Sequence, residues 1–178
     1  MTKQKIKLSE ADAIAARILD QLAPFCERIE VAGSVRRRKA EVGDIEIVAI
    51  PRSMTDLFGA PLPDHALDTF EYSTIGRVEM GGHKYKKIAL TEGPQLDLFI
   101  VTPPAQWGIQ FLIRTGPAEY SHALVTPKWH GGLLPSHLQV KDGAVWNRNT
   151  GEILETPEEE NVYNLLDIPY VAPELRTA

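Results

Sequence analysis

Residues 31–50 read VAGSVRRRKAEVGDIEIVAI and contain the most informative pattern of the chain. The second half of this stretch, DIEIVAI at residues 44–50, alternates acidic with apolar residues and therefore predicts a strand. Because side chains two apart in a strand project from the same face, the carboxylates of Asp44 and Glu46 lie side by side. Two like charges in that position repel each other unless a cation lies between them. Oxygen ligands without a nearby His or Cys favour Mg²⁺ or Mn²⁺.

A glycine turn and a basic run precede this strand and are suited to bind phosphate oxygens. Gly33 lets the backbone approach a phosphate closely, and the hydroxyl and amide of Ser34 can donate hydrogen bonds to it. Arg37 lies on the same side if residues 34–39 form a helical turn, and it can add charge-assisted hydrogen bonds. Gly43, directly before the acidic strand, is the fourth predicted nucleotide-binding residue here. The combination predicts metal-dependent nucleotidyl transfer.

A third carboxylate would complete a site for two metal ions. Asp97 lies in the apolar run QLDLFIV, residues 95–101, which predicts another strand, and a carboxylate buried there is costly unless it is paired. If this strand neighbours residues 44–50, Asp97 joins Asp44 and Glu46 as catalytic residues and ligands of two Mg²⁺ or Mn²⁺ ions. Asp97 would also accept the proton of an attacking 3′-hydroxyl. The plainer alternative is an edge strand with solvated acids beside a strand with one salt-bridged aspartate.

Periodicity and turn residues predict the remaining elements. Apolar residues at every fourth position from Ile14 to Leu22 predict a helix over residues 9–23, with Ser9 as its N-cap. The other expected elements are strands over 28–32, 74–80 and 83–91 with a hairpin turn at Gly81-Gly82, a loop with a turn of helix over 51–68, helices over 105–113 and 118–125, a hairpin over 138–147, and a helix capped by Thr156.

Composition and charge limit the class of protein. The 178 residues carry a net charge of −5, contain one cysteine, and include no apolar run long enough to span a membrane. An intracellular protein without an intrachain disulfide is expected. An acidic protein is repelled by DNA phosphates, so nucleic-acid binding should be weak, salt-sensitive or dependent on a partner. Lys84 and Lys86 are the predicted nucleic-acid contacts, with a solvated lysine face as the alternative.

Three segments resemble family X DNA polymerases, the family that contains DNA polymerase beta. GSVRRRKAEVGDIEI, residues 33–47, resembles the family's signature. LDLFIVTPPAQWGIQFLIRTGPAEYSHAL, residues 96–124, looks like its third-acid strand and the nucleotide-binding helix that follows. GEILETPEEENVYNLLDIPYVAPELR, residues 151–176, looks like the end of its thumb. The resemblance extends over about residues 8–176.

The resemblance implies an α+β fold and a polymerase activity. The fold would be a nucleotidyltransferase palm, a mixed β-sheet with flanking helices, over residues 1–104, and a small C-terminal thumb subdomain over residues 105–178. The implied reaction adds a dNTP to the primer 3′-hydroxyl of a primer-template or gapped DNA, as in short-gap DNA repair. The turn Thr115-Gly116 would contact the sugar and base of the nucleotide. We expect a monomer without membrane contacts, of the minimal kind that some viruses encode, lacking the N-terminal lyase domain.

Four positions depart from the residues that are usual in this family. Glu46 replaces an aspartate, and displacing a reacting group by about 1 Å can cost about a hundredfold in rate. Ile113-Arg114 replaces two aromatic residues, and Ser121 replaces an asparagine. With the acidic charge, these departures keep open a nucleotidyltransferase with a non-DNA acceptor, such as RNA, a small molecule or a protein. A non-catalytic interaction module is the third alternative.

Overall fold

A computed structural model of the chain describes residues 5–177 and divides it into two compact units, Met1–Ile100 and Val101–Ala178. Residues 1–4 and 178, which the predicted subdomains 1–104 and 105–178 include, lie outside the described residues. Helices and several sheets occur together, so the predicted α+β class is confirmed. Within residues 5–177, no helix has both the length and the apolar character that crossing a bilayer requires.

The first unit is built mainly from strands. Its helices and strands, in chain order, are β1 (Ile6–Lys7), α1 (Leu8–Leu22), β2 (Cys26–Val31), α2 (Gly33–Arg36), β3 (Glu41–Val42), β4 (Asp44–Pro51), β5 (Ser53–Thr55), β6 (Pro61–His65), β7 (Gly76–Gly81), β8 (Tyr85–Leu90) and β9 (Gln95–Ile100). Five of these strands form the central sheet, in the order β2-β4-β9-β8-β7. The β4–β9 pair is parallel, and the other three pairs are antiparallel.

One face of the central sheet is apolar and supports the core of the first unit. Ile45, Ile47, Leu96 and Leu98 are fully buried on it, and α1 contributes its own apolar stripe to the same cluster. Strand residues alternate between faces, so the intervening residues of β4 and β9 project from the opposite face. The apolar core therefore determines which residues are left for a site.

The predicted first helix is confirmed, but its predicted cap is wrong. The apolar stripe from Ile14 to Leu22 is buried, as its spacing predicted. The N-cap is Lys7, without a side-chain cap, instead of Ser9. The reason is that β1 pairs with β3 immediately before the helix, and the Leu8 amide donates to the Ala40 carbonyl at 3.1 Å. This backbone hydrogen bond pairs one of the N–H groups at the start of the helix. Without it, that N–H group would need a side-chain acceptor such as a serine hydroxyl.

The predicted loop over residues 51–68 is wrong because β5 and β6 form a hairpin there, whereas the turn of helix expected in this stretch is confirmed by a short 3₁₀ helix. Strands β5 and β6 pair antiparallel, and the 3₁₀ helix Ala66–Thr69 follows. The prolines of this stretch suggested a loop because they lack an N–H. In a two-stranded ribbon, however, each strand has one edge that forms no interstrand hydrogen bonds. A proline whose missing N–H would lie on that edge therefore removes no hydrogen bond from the ribbon.

The second unit packs helices against a small sheet. Its elements are α3 (Trp107–Thr115), α4 (Ala118–Val125), β10 (Leu138–Lys141), β11 (Ala144–Asn147), β12 (Ile153–Leu154) and α5 (Glu159–Leu166). The three strands form an antiparallel sheet in chain order. Residues from all three helices and from the β10–β11 hairpin share one apolar cluster, which includes Leu112, Leu124, Leu138 and Tyr163.

The last helix starts two residues later than a Thr156 cap implies. Thr156 is fully buried, and both its amide and its hydroxyl donate to Oε1 of Gln106. Its side chain is therefore used to bind the start of α3. Glu158 is the N-cap instead and forms a capping box with Asn161, whose Oδ1 accepts from the Glu158 amide at 2.9 Å.

A fully buried ion pair stabilises the second unit. Arg176 is 0% exposed, and its Nη1 donates to Oε1 of Glu159 at 2.8 Å. The guanidinium also lies over the rings of Tyr163 and Tyr170, at 5.7 Å from each centroid. Burial lowers the pKa of Arg176, but the hydrogen bond and charge of Glu159 outweigh burial and leave that pKa above its ordinary value. The charged pair therefore persists in the interior.

We expect Arg176→Met to lower the free energy of unfolding by about 3–5 kcal/mol, because the buried carboxylate of Glu159 loses the opposite charge and the hydrogen bond of Arg176. Urea denaturation followed by tryptophan fluorescence measures this loss, since all three tryptophans lie in the second unit. Adding Glu159→Leu to that variant should restore most of the stability.

The matched control is Lys141→Met, which removes an exposed pair with Asp142 at 3.9 Å in the same unit. Such a pair contributes less than about 1 kcal/mol. If the Arg176 variant lost no more stability than this control, the buried pair would not hold the unit together.

Candidate functional site

The parallel pairing of β4 with β9 brings the three predicted catalytic acids to one face. Glu46 lies directly opposite Asp97, and Asp44 lies opposite Gln95. Neighbouring strands are about 4.8 Å apart, and residues two apart on a strand share a face. Asp44, Glu46 and Asp97 are all half-buried, while the residues that alternate with them are buried in the core. The structure therefore places three carboxylates side by side on the face opposite α1.

Two side chains fix the carboxylate of Asp97. The hydroxyl of Tyr85 and the amide Nε2 of Gln95 both donate to its Oδ1, each at 2.6 Å. No hydrogen bond from the described residues reaches its Oδ2. One carboxylate oxygen is thus held by the protein, and the other is left for a ligand or a proton.

The sequence interpretation missed Tyr85 and Gln95. Gln95 precedes Asp97 by two residues in a strand, so their shared face was a usable signal. Tyr85 could not be assigned without the register, which pairs it with Phe99 on β9. Its ring stacks on Phe99 at 5.2 Å between centroids, which directs the hydroxyl along the sheet to Asp97.

The predicted phosphate turn lies directly beside Glu46. Gly33 begins α2 with a φ of +59°, a left-handed conformation that favours glycine. A Cβ atom at Gly33 would overlap the carboxyl group of Glu46. The Ala32 amide donates to the Glu46 carbonyl at 2.8 Å, which fixes this approach. Only a residue without a side chain therefore fits between the turn and the acid.

Ser34 and Arg37 complete the turn. The hydroxyl of Ser34 is buried and makes no hydrogen bond within the described residues, so it is available to an incoming oxygen. Arg37 caps the end of α2, and its amide donates to the Gly33 carbonyl at 3.1 Å, which places both residues on one helical turn. Arg38, by contrast, is exposed and pairs with Asp12 at 3.0 Å. The predicted Gly43 lies directly before β4, and nothing lies within 4 Å of where its Cβ would be.

Thr115 and Gly116 lie in the second unit, at the end of α3. Thr115 is fully buried, and the Gly116 amide donates to the Leu112 carbonyl at 3.1 Å. Ser121 is also buried, and its hydroxyl donates to the Ile113 carbonyl at 2.9 Å. Ser121, which departs from the family pattern, therefore connects α4 to the end of α3 through this hydrogen bond.

The two predicted nucleic-acid lysines differ in position. Lys84 is exposed in the turn before β8. Lys86 is 8% exposed, and its Nζ donates to Oδ1 of Asp68 at 3.0 Å. An ammonium group held in a buried ion pair is not available to a DNA phosphate, so the structure does not support the predicted contact of Lys86.

Comparison with known proteins identifies two similarities. The family model of the DNA polymerase beta thumb matches residues 131–177. DNA polymerase lambda of Rattus norvegicus is 26% identical to the chain over 156 residues, which cover 79% of this chain. The chain spans 27% of the length of that curated relative. The predicted resemblance is thus confirmed over part of the chain, which is family X polymerase-like.

We expect Gly33→Ala to lower the free energy of unfolding by about 2–4 kcal/mol, because it adds left-handed strain and an overlap with Glu46. The measurement is urea denaturation followed by far-ultraviolet circular dichroism. In a double-mutant cycle with Glu46→Ala, the loss should be smaller than the sum of the single losses, because the overlap is relieved.

Gly43→Ala is the matched control, since its Cβ meets no atom and should change stability by less than about 0.5 kcal/mol. Strict additivity in the cycle would mean that the turn and the acid do not contact each other.

Proposed function

We propose that this chain catalyses metal-dependent, template-directed addition of a dNTP to a primer 3′-hydroxyl and fills short gaps in DNA. The observation that carries the proposal is the parallel register that sets Glu46 opposite Asp97, beside the turn at Gly33. The similarity to DNA polymerase lambda and to the DNA polymerase beta thumb supports it. In this proposal the first unit is the nucleotidyltransferase palm, and the second unit is the thumb.

The acids have the chemistry that divalent ions require. Asp44, Glu46 and Asp97 offer only oxygen donors on one face, which fits Mg²⁺ or Mn²⁺. We assign these three residues as the ligands of two ions. Bound there, the ions would neutralise the triphosphate and make the primer hydroxyl more acidic.

The residues of the turn bind and orient the triphosphate. The buried hydroxyl of Ser34 donates to a phosphate oxygen, and the missing side chain of Gly33 lets the backbone approach it. Arg37 adds a charge-assisted hydrogen bond from the same turn, and Gly43 leaves open space at the start of β4. Such transfer depends mainly on positioning and on charge stabilisation, which these groups supply.

Asp97 receives the proton of the primer hydroxyl at Oδ2. Its Oδ1 is occupied by Tyr85 and Gln95, so the carboxylate presents Oδ2 in a fixed orientation. A base held in this way acts without a reorganisation cost at the moment of transfer. Tyr85 and Gln95 are therefore positioning residues.

The remaining assignments rest on the family resemblance. The Thr115-Gly116 turn would contact the sugar and base of the dNTP. The exposed Lys84 would contact the backbone of the primer-template or gapped DNA. Because the net charge is −5, we expect this binding to weaken steeply with salt. We propose an intracellular monomer active in DNA repair.

We expect Asp97→Asn to reduce nucleotide addition by at least about a thousandfold, because the amide cannot accept the proton. Triphosphate affinity should stay within about threefold, since the turn at Gly33 and Ser34 is unchanged. The assay is Mg²⁺-dependent incorporation of a labelled dNTP into a one-nucleotide-gapped duplex at low salt. Complementary and mismatched nucleotides are compared, and binding is measured separately on the same proteins.

Asp20→Asn, an exposed aspartate on α1, is the matched control and should retain full activity. Equal losses of binding and rate in the Asp97 variant would contradict the division of roles. Metal-dependent triphosphate binding without addition to DNA would indicate a transferase with another acceptor. No metal-dependent binding of nucleotide would indicate a non-catalytic module.

Tyr85→Phe tests the positioning role. Phenylalanine retains the stacking on Phe99 but removes the hydrogen bond to Asp97, so kcat should fall by about tenfold. KM for the dNTP should change little, because Tyr85 does not belong to the phosphate turn. Steady-state kinetics on gapped DNA separates the two, and a change in KM alone would contradict the assignment.

A further inference from the structure

Three metal-ligating side chains of the first unit converge outside the proposed active site. His65 ends β6, Asp68 lies in the 3₁₀ helix that follows, and His83 lies in the turn between β7 and β8. One ligand atom of each residue lies within 4.8 Å of the others. The three residues thus come from two segments that are separate in sequence and belong to different sheets.

Nδ1 of His65 directs a lone pair toward the place where the three ligand atoms converge. Nε2 of the same ring lies 3.2 Å from the carbonyl oxygen of His83, which can only accept, so Nε2 carries the proton. In the neutral ring, Nδ1 is then unprotonated. His65 is 7% exposed, and its Nδ1 makes no hydrogen bond although Oδ2 of Asp68 lies 3.4 Å away. A buried acceptor therefore faces another acceptor, an arrangement that a bound cation stabilises.

Asp68 is oriented by Lys86. The ammonium group of Lys86 donates to Oδ1 of Asp68 at 3.0 Å, which leaves Oδ2 directed to the histidines. With that ammonium group beside it, the carboxylate is ionised at neutral pH.

The two distances from Asp68 to the histidines match the ligand spacing of a tetrahedral metal site. Oδ2 of Asp68 lies 3.4 Å from Nδ1 of His65 and 3.2 Å from Nδ1 of His83. Ligands bound to Zn²⁺ at about 2.0–2.1 Å in a tetrahedron are about 3.3 Å apart. The His83 carbonyl on the far nitrogen of His65 and Lys86 on the far oxygen of Asp68 are the outer partners that fix such ligands.

We propose that His65, Asp68 and His83 bind one Zn²⁺ ion, with a fourth position open to water. Two imidazoles and one carboxylate favour Zn²⁺ over Mg²⁺, unlike the oxygen-only set of the three acids. The His83 side chain is 70% exposed, so the ion has an entry path from solvent. The bound ion would tie the β5–β6 hairpin to the β7–β8 turn within the first unit. This site is independent of the proposed polymerase reaction.

Cobalt titration of the tag-free, chelator-treated full chain tests the site. One Co²⁺ ion per chain should show the intense visible absorption of a tetrahedral complex, and Zn²⁺ should displace that ion. His83→Ala should weaken Co²⁺ binding by at least about tenfold and abolish the rise in Tm that Zn²⁺ gives. This exposed residue is chosen because its replacement should not disturb folding.

Two control variants make the result specific. His130→Ala removes an exposed histidine of the second unit and should leave Co²⁺ binding unchanged. Asp97→Asn should leave the tetrahedral Co²⁺ absorption unchanged, because Asp97 belongs to the separate set of three acids, so that failure of the polymerase proposal and failure of this one are distinguishable. No tetrahedral absorption, or equal affinity in the His83 variant, would overturn the proposal and leave an ion pair of protonated His65 with Asp68.

Discussion

The parallel hydrogen bonding between β4 and β9 is the constraint on which the candidate site depends. It alone sets Glu46 opposite Asp97 while the residues that alternate with them remain in the core. A slip of one residue would exchange the two faces of a strand. It would place carboxylates beneath α1 and expose isoleucines, at a cost of several kcal/mol for each uncompensated charge. The hydrophobic core thus enforces the arrangement of acids that repel one another.

The two units handle buried charge in different ways. In the first unit the three acids stay half-buried on one face of the sheet, where an external cation can reach them. In the second unit Glu159 and Arg176 are removed from water, and the guanidinium donates to the Glu159 carboxylate and to the Val171 carbonyl and lies over neighbouring aromatic rings. The first arrangement is suited to binding, and the second is suited to holding a small unit in a single packing.

Much of this could be predicted from the sequence because it depends on periodicity. The strands at 44–50 and 95–101, the stripe of α1 and the α4 segment all follow from local patterns, and their adjacency follows from the requirement for a shared core. Caps could not be predicted in the same way. Ser9 and Thr156 have the right side chains, but backbone pairing of β1 and the binding of Gln106 displace them from that role. Tyr85 and the burial of Lys86 depend on strand register, which no local pattern specifies. The palm assignment and the roles of the site residues stay predictions.

The contact between Gly33 and Glu46 has a consequence for how this sequence can diverge. A side chain at position 33 is incompatible with the present glutamate, whereas a shorter acid at position 46 would open space above the turn. The order of substitutions therefore matters: a change at 46 can come first, and a change at 33 cannot. The effect of a substitution at position 33 should therefore depend on the residue at position 46. A library that varies each position alone would miss pairs of residues that are viable only together.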